Sequence, residues 1–337
     1  MAAAMLTALL IALVTTAWAR RPESQLYMLD VPNQRSLHVA PTPRGGGMAM
    51  IAGILAGQGL LFLSGAPGGF SLPVLIAITL LTVVALFDDR GHVRVRWRLL
   101  IQALAAALAL GAGLAPEVIM LPGLGVGLSP AFAGGLAFLF ILWMTNLYNF
   151  MDGMDGLAGG MGVFGFGFLG LAGWLHGDTG FAVQSWVIAA AALGFLRFNF
   201  PPAQIFMGDA GSTVFGFLAA VLILQAQQRG LLPVWCGILI FSPFVVDATV
   251  TLIRRVLRGD AIWIAHRSHY YQRLVTLGWS HRRVALREYL LMLACGISAL
   301  YVSDKGAMVQ VATGVAWVVI YVVLASDVNR REKGIGA

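Results

Sequence analysis

The chain has 337 residues, 59% of them hydrophobic and 11% charged, with a mean hydropathy of +0.82, whereas a soluble domain carries about 45–50% apolar and 25% charged residues. These values exclude a soluble globular protein, so the net charge of +7 becomes a question of where the basic residues lie rather than a sign of nucleic acid. Cys236 and Cys295 both sit in apolar runs, which excludes a disulfide scaffold or a thiolate metal site.

Apolar stretches long enough to read as spans occur at 3–19, 48–64, 72–87, 99–115, 132–148, 157–174, 184–198, 212–227, 233–253, 288–303 and 307–325. They predict an all-α, polytopic bundle of about eleven transmembrane helices, forming one membrane domain over 1–337. The first stretch ends Ala17-Trp18-Ala19, which resembles a signal-peptidase site. It lacks a basic leading region, and cleavage would leave Arg20 to Arg44 outside, so it is read as a retained span. Alternate loops hold 20 of the 22 basic residues, and the opposite loops hold only Arg229 and Lys305. By the positive-inside rule the basic loops are cytoplasmic, the N-terminus is outside and the C-terminus is inside.

Nothing in that rule calls for carboxylates in cytoplasmic loops, yet five aspartates fall in three of them. Asp88 and Asp89 follow the third stretch, Asp152 and Asp155 lie between the fifth and sixth, and Asp209 precedes the eighth. Helix capping accounts for Asp155 and Asp209 but not for Asp88 and Asp89, which lie at a helix C-terminus where the dipole disfavours negative charge. Carboxylates gathered at one face repel unless they share a cation. Oxygen ligands without thiols suit a hard ion such as Mg²⁺, with Mn²⁺ as the alternative.

Glycines flank these aspartates, and Pro41-Thr42-Pro43-Arg44-Gly45-Gly46-Gly47 adds a cation to the same kind of sequence; it lacks the spacing of a phosphate-binding Walker loop. The longest hydrophilic segment, 254–287, is expected to be a cytoplasmic substrate-recognition loop. Its Arg254, Arg255 and Arg258 read equally as an anionic-lipid patch, while His266, His269 and Gln272 offer directional donors to phosphate or sugar oxygens. Zinc lacks ligands beyond His281. Asp247 lies inside an apolar stretch, where a carboxylate is costly and faces a partner; Arg254 and Arg255 are the expected partners, and both a functional and a structural role are open.

Four of these segments, Asp88-Asp89, Asn146 to Leu157, Asn199 to Ser212 and the late histidine box, stand in one order. In that order they resemble the polyprenyl-phosphate N-acetylhexosamine-1-phosphate transferases, a family that includes the peptidoglycan translocase. Ser36-Leu37-His38 before the Pro-Arg-Gly run, with His-Arg-Ser-His-x-Tyr-Gln, is most similar to the branch that initiates O-antigen. The resemblance implies transfer of an N-acetylhexosamine 1-phosphate from a UDP-sugar to undecaprenyl phosphate, with release of UMP, on the cytoplasmic face of the bacterial inner membrane. Mg²⁺ is the implied cofactor, no nucleic acid is involved, and a homodimer is the candidate assembly. It implies Asp209 as a metal ligand and Asp88 or Asp89 as serving the metal and the polyprenyl phosphate. Asn149, Asp152, Asp155 and Asn199 would line the nucleotide site, His266 and His269 would lie near the diphosphate or sugar, and Arg44, Arg96 and Gln272 would bind substrate. Arg96 stands where relatives often have lysine. The competing reading is a secondary transporter, whose charged groups would lie near the midplane in broken helices.

Overall fold

The computed structural model describes residues 1–32, 36–91, 93–260 and 266–335; Arg35 and residues 261–265 of the basic segment lie outside them. Among the described residues the chain forms thirteen helices and two small hairpins. The helices are α1 (Ala2–Ala19), α2 (Gly46–Leu63), α3 (Leu72–Gly91), α4 (Val95–Gly111), α5 (Pro130–Phe150), α6 (Leu157–Leu175), α7 (Thr179–Asn199), α8 (Asp209–Gln228), α9 (Val234–Ile240), α10 (Ser242–Leu257), α11 (Tyr270–Thr276), α12 (His281–Val302) and α13 (Ala307–Ile335). Every predicted apolar stretch overlaps one of these helices, except 233–253, which overlaps the α9–α10 pair. Among the described residues nine of these helices are long and apolar enough to cross a membrane. Helix α4, at 17 residues, is shorter, and α9 and α10 form a pair bent by 86°.

The bend has a local cause. Pro243 enters the first turn of α10 and cannot donate the N–H that would continue α9. Ser242 Oγ donates to Leu239 O at 2.7 Å and lies 2.6 Å from Tyr321 Oη, which ties the break to α13.

Small residues set the packing elsewhere, since helices in lipid associate through close contact rather than through a hydrophobic drive between them. Ala4, Ala8 and Ala12 of α1 are fully buried. Gly53 and Gly57 of α2 leave no room for a side chain against that face. Helix α8 is the central helix, with nearly all of its surface covered, and α13 is peripheral with almost none covered.

The sequence predicts only helices, and the hairpins were not foreseen. Strands β1 (Met28–Asp30) and β2 (Thr42–Arg44) pair antiparallel, and β3 (Val118–Leu121) and β4 (Leu124–Gly127) do the same in another connection. The first hairpin matters for function. Arg44 bridges Phe206, Phe206 N donates to Pro43 O at 2.8 Å, and Gly46 N and Gly47 N donate to Phe206 O and Met207 O at 3.0 and 2.8 Å. The Pro-Arg-Gly run is thus an extra strand clasping the segment that ends in Asp209. Gly47 is required there, because a Cβ on it would lie 2.3 Å from Gly211 N.

Candidate active site

All five loop aspartates come together at one pole, where α3, α5 and α7 end and α2, α6 and α8 begin. Their roles differ sharply. Asp89, with its side chain 1% exposed, accepts from Asp209 N at 3.3 Å and Ala210 N at 3.4 Å, and Arg44 stands 3.6 Å away. It caps α8 from another helix, supplying an acceptor to N–H groups that have no partner within their own helix. Gly208 makes the approach possible, with φ +78° and a Cα whose Cβ would meet Asp89 Oδ2 at 3.1 Å. Asp89 was expected to serve the metal and lipid phosphate, but its oxygens are turned onto backbone.

Asp88 faces the other way. Its Oδ1 accepts from Val93 N at 2.8 Å and its Oδ2 from Arg98 at 2.5 Å, while the same guanidinium nitrogen lies 3.6 Å from Asp209 Oδ2. Asn149 donates to Asp209 Oδ1 at 3.1 Å and to Ser212 Oγ at 2.9 Å. Asp209 remains 38% exposed. The cation between the carboxylates is therefore Arg98, which the sequence reading missed; Arg96 is exposed and packs over Trp97. Helical phase decides this, since positions two apart point to different faces.

Two cavities meet at Asp209. One, of 80 Å³, runs between α3, α4 and α5 and is lined by Leu81, Val84, Leu99 and Phe150 together with Asp88, Arg98 and Asn149. The other, of 190 Å³, is polar and includes His38, Arg44, Asp152, Asp155, Gln272 and His281 in its lining. Among the described residues His38 Nε2 and Arg44 Nε are buried nitrogens with no hydrogen-bond partner, a costly arrangement unless a ligand supplies acceptors. Burial, with Asp209 and Asp89 nearby, pushes the Asp152 carboxyl well up, and a bond from the Gly208 backbone only partly offsets this.

Asp155 and Asn199 line the polar cleft but spend their polar atoms on the fold. Asp155 pairs with His281 Nδ1 at 3.1 Å and accepts from Ala203 N at 3.0 Å. Asn199 accepts from Gly156 N and donates to Ile205 O, both at 2.9 Å, so both heteroatoms of its amide are engaged with backbone. His281, weighed from sequence only as a zinc ligand, is a cleft residue at the start of α12. The signal for it was Ser280, whose hydroxyl caps that helix by accepting from Arg283 N.

The described part of 254–287 forms the roof and holds three helical pieces: the end of α10, then α11, then the start of α12. His266 and His269 precede α11 rather than sharing a helical face, with rings 5.0 Å apart. His269 is 3% exposed and its Nδ1 lies 3.2 Å from Asp247 Oδ1. His266 Nδ1 lies 2.7 Å from Ser268 Oγ. Burial, His269 and Arg255 push the His266 imidazole down to about 4, so at neutral pH it is uncharged. Gln272 is the residue of the histidine box that lines the cleft. Arg254, expected to reach back to Asp247, instead donates to Tyr270 Oη at 2.6 Å and to Asn329 Oδ1 at 3.3 Å.

The sequence matches the family model described as glycosyl transferase family 4 over residues 71–227. It is 31% identical over 324 residues to a Bacillus subtilis protein named "Probable undecaprenyl-phosphate N-acetylglucosaminyl 1-phosphate transferase", covering 94% of this chain and 88% of that one. The decaprenyl-phosphate N-acetylglucosaminephosphotransferase of Mycolicibacterium smegmatis is 32% identical, over 97% of this chain and 88% of its own. The undecaprenyl-phosphate alpha-N-acetylglucosaminyl 1-phosphate transferase of Salmonella typhi is 28% identical, over 83% and 77%. With the matched region holding Asp88, Asp89, Asp152, Asp155 and Asp209 at one pole, the chain belongs to glycosyl transferase family 4, the polyprenyl-phosphate N-acetylhexosamine-1-phosphate transferases.

Proposed function

We propose that the protein transfers an N-acetylhexosamine 1-phosphate from a UDP-sugar to undecaprenyl phosphate, releasing UMP, at the cytoplasmic face of the bacterial inner membrane. The product would start a lipid-linked polysaccharide, O-antigen being the pathway its sequence most resembles. The observation that carries this reading is the placement of Asp209 in the shared wall of a cavity that is half apolar and a cleft that is polar. A lipid phosphate and a nucleotide diphosphate have to meet at one such point.

In this reading the smaller cavity, whose apolar side is Leu81, Val84, Leu99 and Phe150, takes the head of the lipid, and Arg98 holds the lipid phosphate there. The polar cleft takes the UDP-sugar, with His38 Nε2 and Arg44 Nε donating to its diphosphate. A lipid phosphate oxygen attacks the phosphorus that bears the sugar. A new diphosphate bond forms there, the bond to the uridine-side phosphate breaks, and UMP leaves with the electron pair. Asn149 orients Asp209, and Asp152 closes the cleft floor.

The acidic pair suits Mg²⁺. Among the described residues no three His, Cys, Asp or Glu side chains form a ready ligand set, but Mg²⁺ is commonly bound by one or two carboxylates plus water and substrate phosphate. Asp88 and Asp209 are the carboxylates available to hold it. Bound there, it would supply positive charge for the diphosphate and the leaving UMP. Asp89, spent on α8, would support these ligands from behind.

The test is UMP release by purified protein with undecaprenyl phosphate, Mg²⁺ and a panel of UDP-N-acetylhexosamines, starting with UDP-N-acetylglucosamine because the relatives are named for that sugar. Turnover with at least one donor, lost on chelation and restored by Mg²⁺, is the expected result. No release from any donor overturns the reading.

A further inference from the structure

Asp247 is a buried aspartate that no part of the proposed reaction uses. It sits within α10, where a carboxylate is expensive to bury, and its side chain is 10% exposed. Four donors converge on it. Thr251 Oγ1, His269 Nδ1 and Tyr270 N meet Oδ1 at 3.1, 3.2 and 2.9 Å, and Tyr271 N meets Oδ2 at 3.1 Å. Two of these donors are the first backbone N–H groups of α11.

Helix α11 has seven residues, far fewer than the roughly 12–15 at which an isolated helix becomes even marginal. Its place is set by what holds it. At its far end Arg273 donates to both carboxylate oxygens of Glu332 and to Asn329 Oδ1, each at 2.6 Å. At its near end the holder is Asp247. Between them, Tyr271 Oη donates to Phe150 O at 3.3 Å, and a Cβ on Gly153 would fall 2.3 Å from that hydroxyl. Any shift of α11 is therefore passed directly to the loop that carries Asp152, and it moves Gln272 in the cleft wall.

We propose that Asp247 is a positioning residue for the donor site. It sets the seat of α11 over the cleft and fixes the Nδ1 proton of His269, leaving Nε2 as the free ring nitrogen. This rests on the reading that the cleft beneath α11 binds the nucleotide sugar. The site asks for a carboxylate and not merely a polar group. Three of the four groups that meet it are N–H donors, and an amide has one oxygen and two N–H groups of its own. Asp247→Asn would set an N–H against a backbone N–H or the imidazole N–H, although its shape is preserved and it is cheaper to bury.

The experiment compares wild type, Asp247→Asn and Asp247→Glu in UMP release, varying UDP-sugar and undecaprenyl phosphate in turn, with thermal melting alongside. Asp247→Asn is expected to lose about tenfold or more in kcat/KM for the UDP-sugar, as loss of a supporting hydrogen bond commonly does. Its KM for undecaprenyl phosphate and its melting temperature should stay near wild type. Asp247→Glu, which keeps the acceptors one methylene displaced, should recover part of the loss. Wild-type donor kcat/KM in Asp247→Asn overturns the proposal, and so do equal losses for both substrates with lowered melting. Trypsin cleavage after Arg273 reports the seating of α11 without any substrate. Faster cleavage in Asp247→Asn is expected, and an unchanged rate overturns the proposal even if wild type uses no UDP-sugar, an outcome that sinks the donor-site reading separately.

Discussion

The acidic floor of the cleft stands on the ends of α3, α5 and α8, helices whose packing continues below it for 20, 21 and 20 residues. The roof hangs on α11, seven residues anchored at each end by a single charged side chain. The floor is built of carboxylates that touch one another through Arg98 and backbone. The roof presents the Gln272 amide and the His281 imidazole to the cleft. Rigid charge below and more lightly held polar groups above suit a site that must hold phosphates in place while reading a sugar. Substitutions in the floor should therefore act on the chemical step, and those in the roof on the choice and holding of the donor.

The largest effect is expected at Asp209, a half-exposed carboxylate of the floor and the one shared by both cavities. Asp209→Asn keeps the shape of the side chain and its contact with Asn149 but removes the charge that would hold Mg²⁺. A metal-supported transition state is worth several kcal/mol, or roughly a thousandfold or more in rate. UMP release should fall by that order with melting unchanged. Near-normal turnover at ordinary Mg²⁺ would show that the floor is not where the chemistry lies.

Next come the neighbours Asp88 and Asp89, which adjoin in sequence and part company in structure. Asp88→Asn weakens a charge-assisted contact to Arg98, worth about 1.5–3 kcal/mol, so kcat should drop about tenfold to a hundredfold with little change in stability. Asp89→Asn should lower stability by about 1 kcal/mol, the usual worth of a helix cap, and reduce activity through the displaced start of α8. Melting curves separate the two. If both variants melt like wild type and lose the same activity, Asp89 is no cap.

Much of this was legible in the sequence, and what was not has identifiable reasons. The apolar stretches mark where helices run because lipid demands length and apolarity of any span. They do not rank the helices: α8 and α13 both qualify as spans, yet one is central and the other peripheral. Burial depends on which faces carry small residues, and on partners far away in the chain. The acidic loops stood out because charge is rare in such a sequence. Which carboxylate serves the fold was hidden, since Asp89 answers unpaired N–H groups 120 residues later. Arg96 was picked by the family resemblance, and only the phase of α4, which starts at Val95, turns Arg98 rather than Arg96 to the carboxylates. His269 looked like a free donor until Asp247, 22 residues earlier, was seen to hold it.

The smallest expected effect tests the neutrality of the roof. The His266 pKa is lowered to about 4, by burial first and then by His269 and Arg255, with Asp247 and Asp260 opposing. Above its ordinary value near 6.5 the imidazole is neutral whether the chain is folded or not. As pH falls from about 6.5 to 4 the unfolded chain takes up the proton first, so folding stability declines over that window and the site itself stays uncharged through most of it. Between about pH 5.5 and 8, then, His266 should add no limb to the activity profile, and His266→Gln should keep its shape. The loss should be about tenfold at most, as for one neutral hydrogen bond. A limb near pH 6.5 in wild type that vanishes in His266→Gln would make this histidine a charged group at work over the donor, and the contrast between floor and roof would fail at that point.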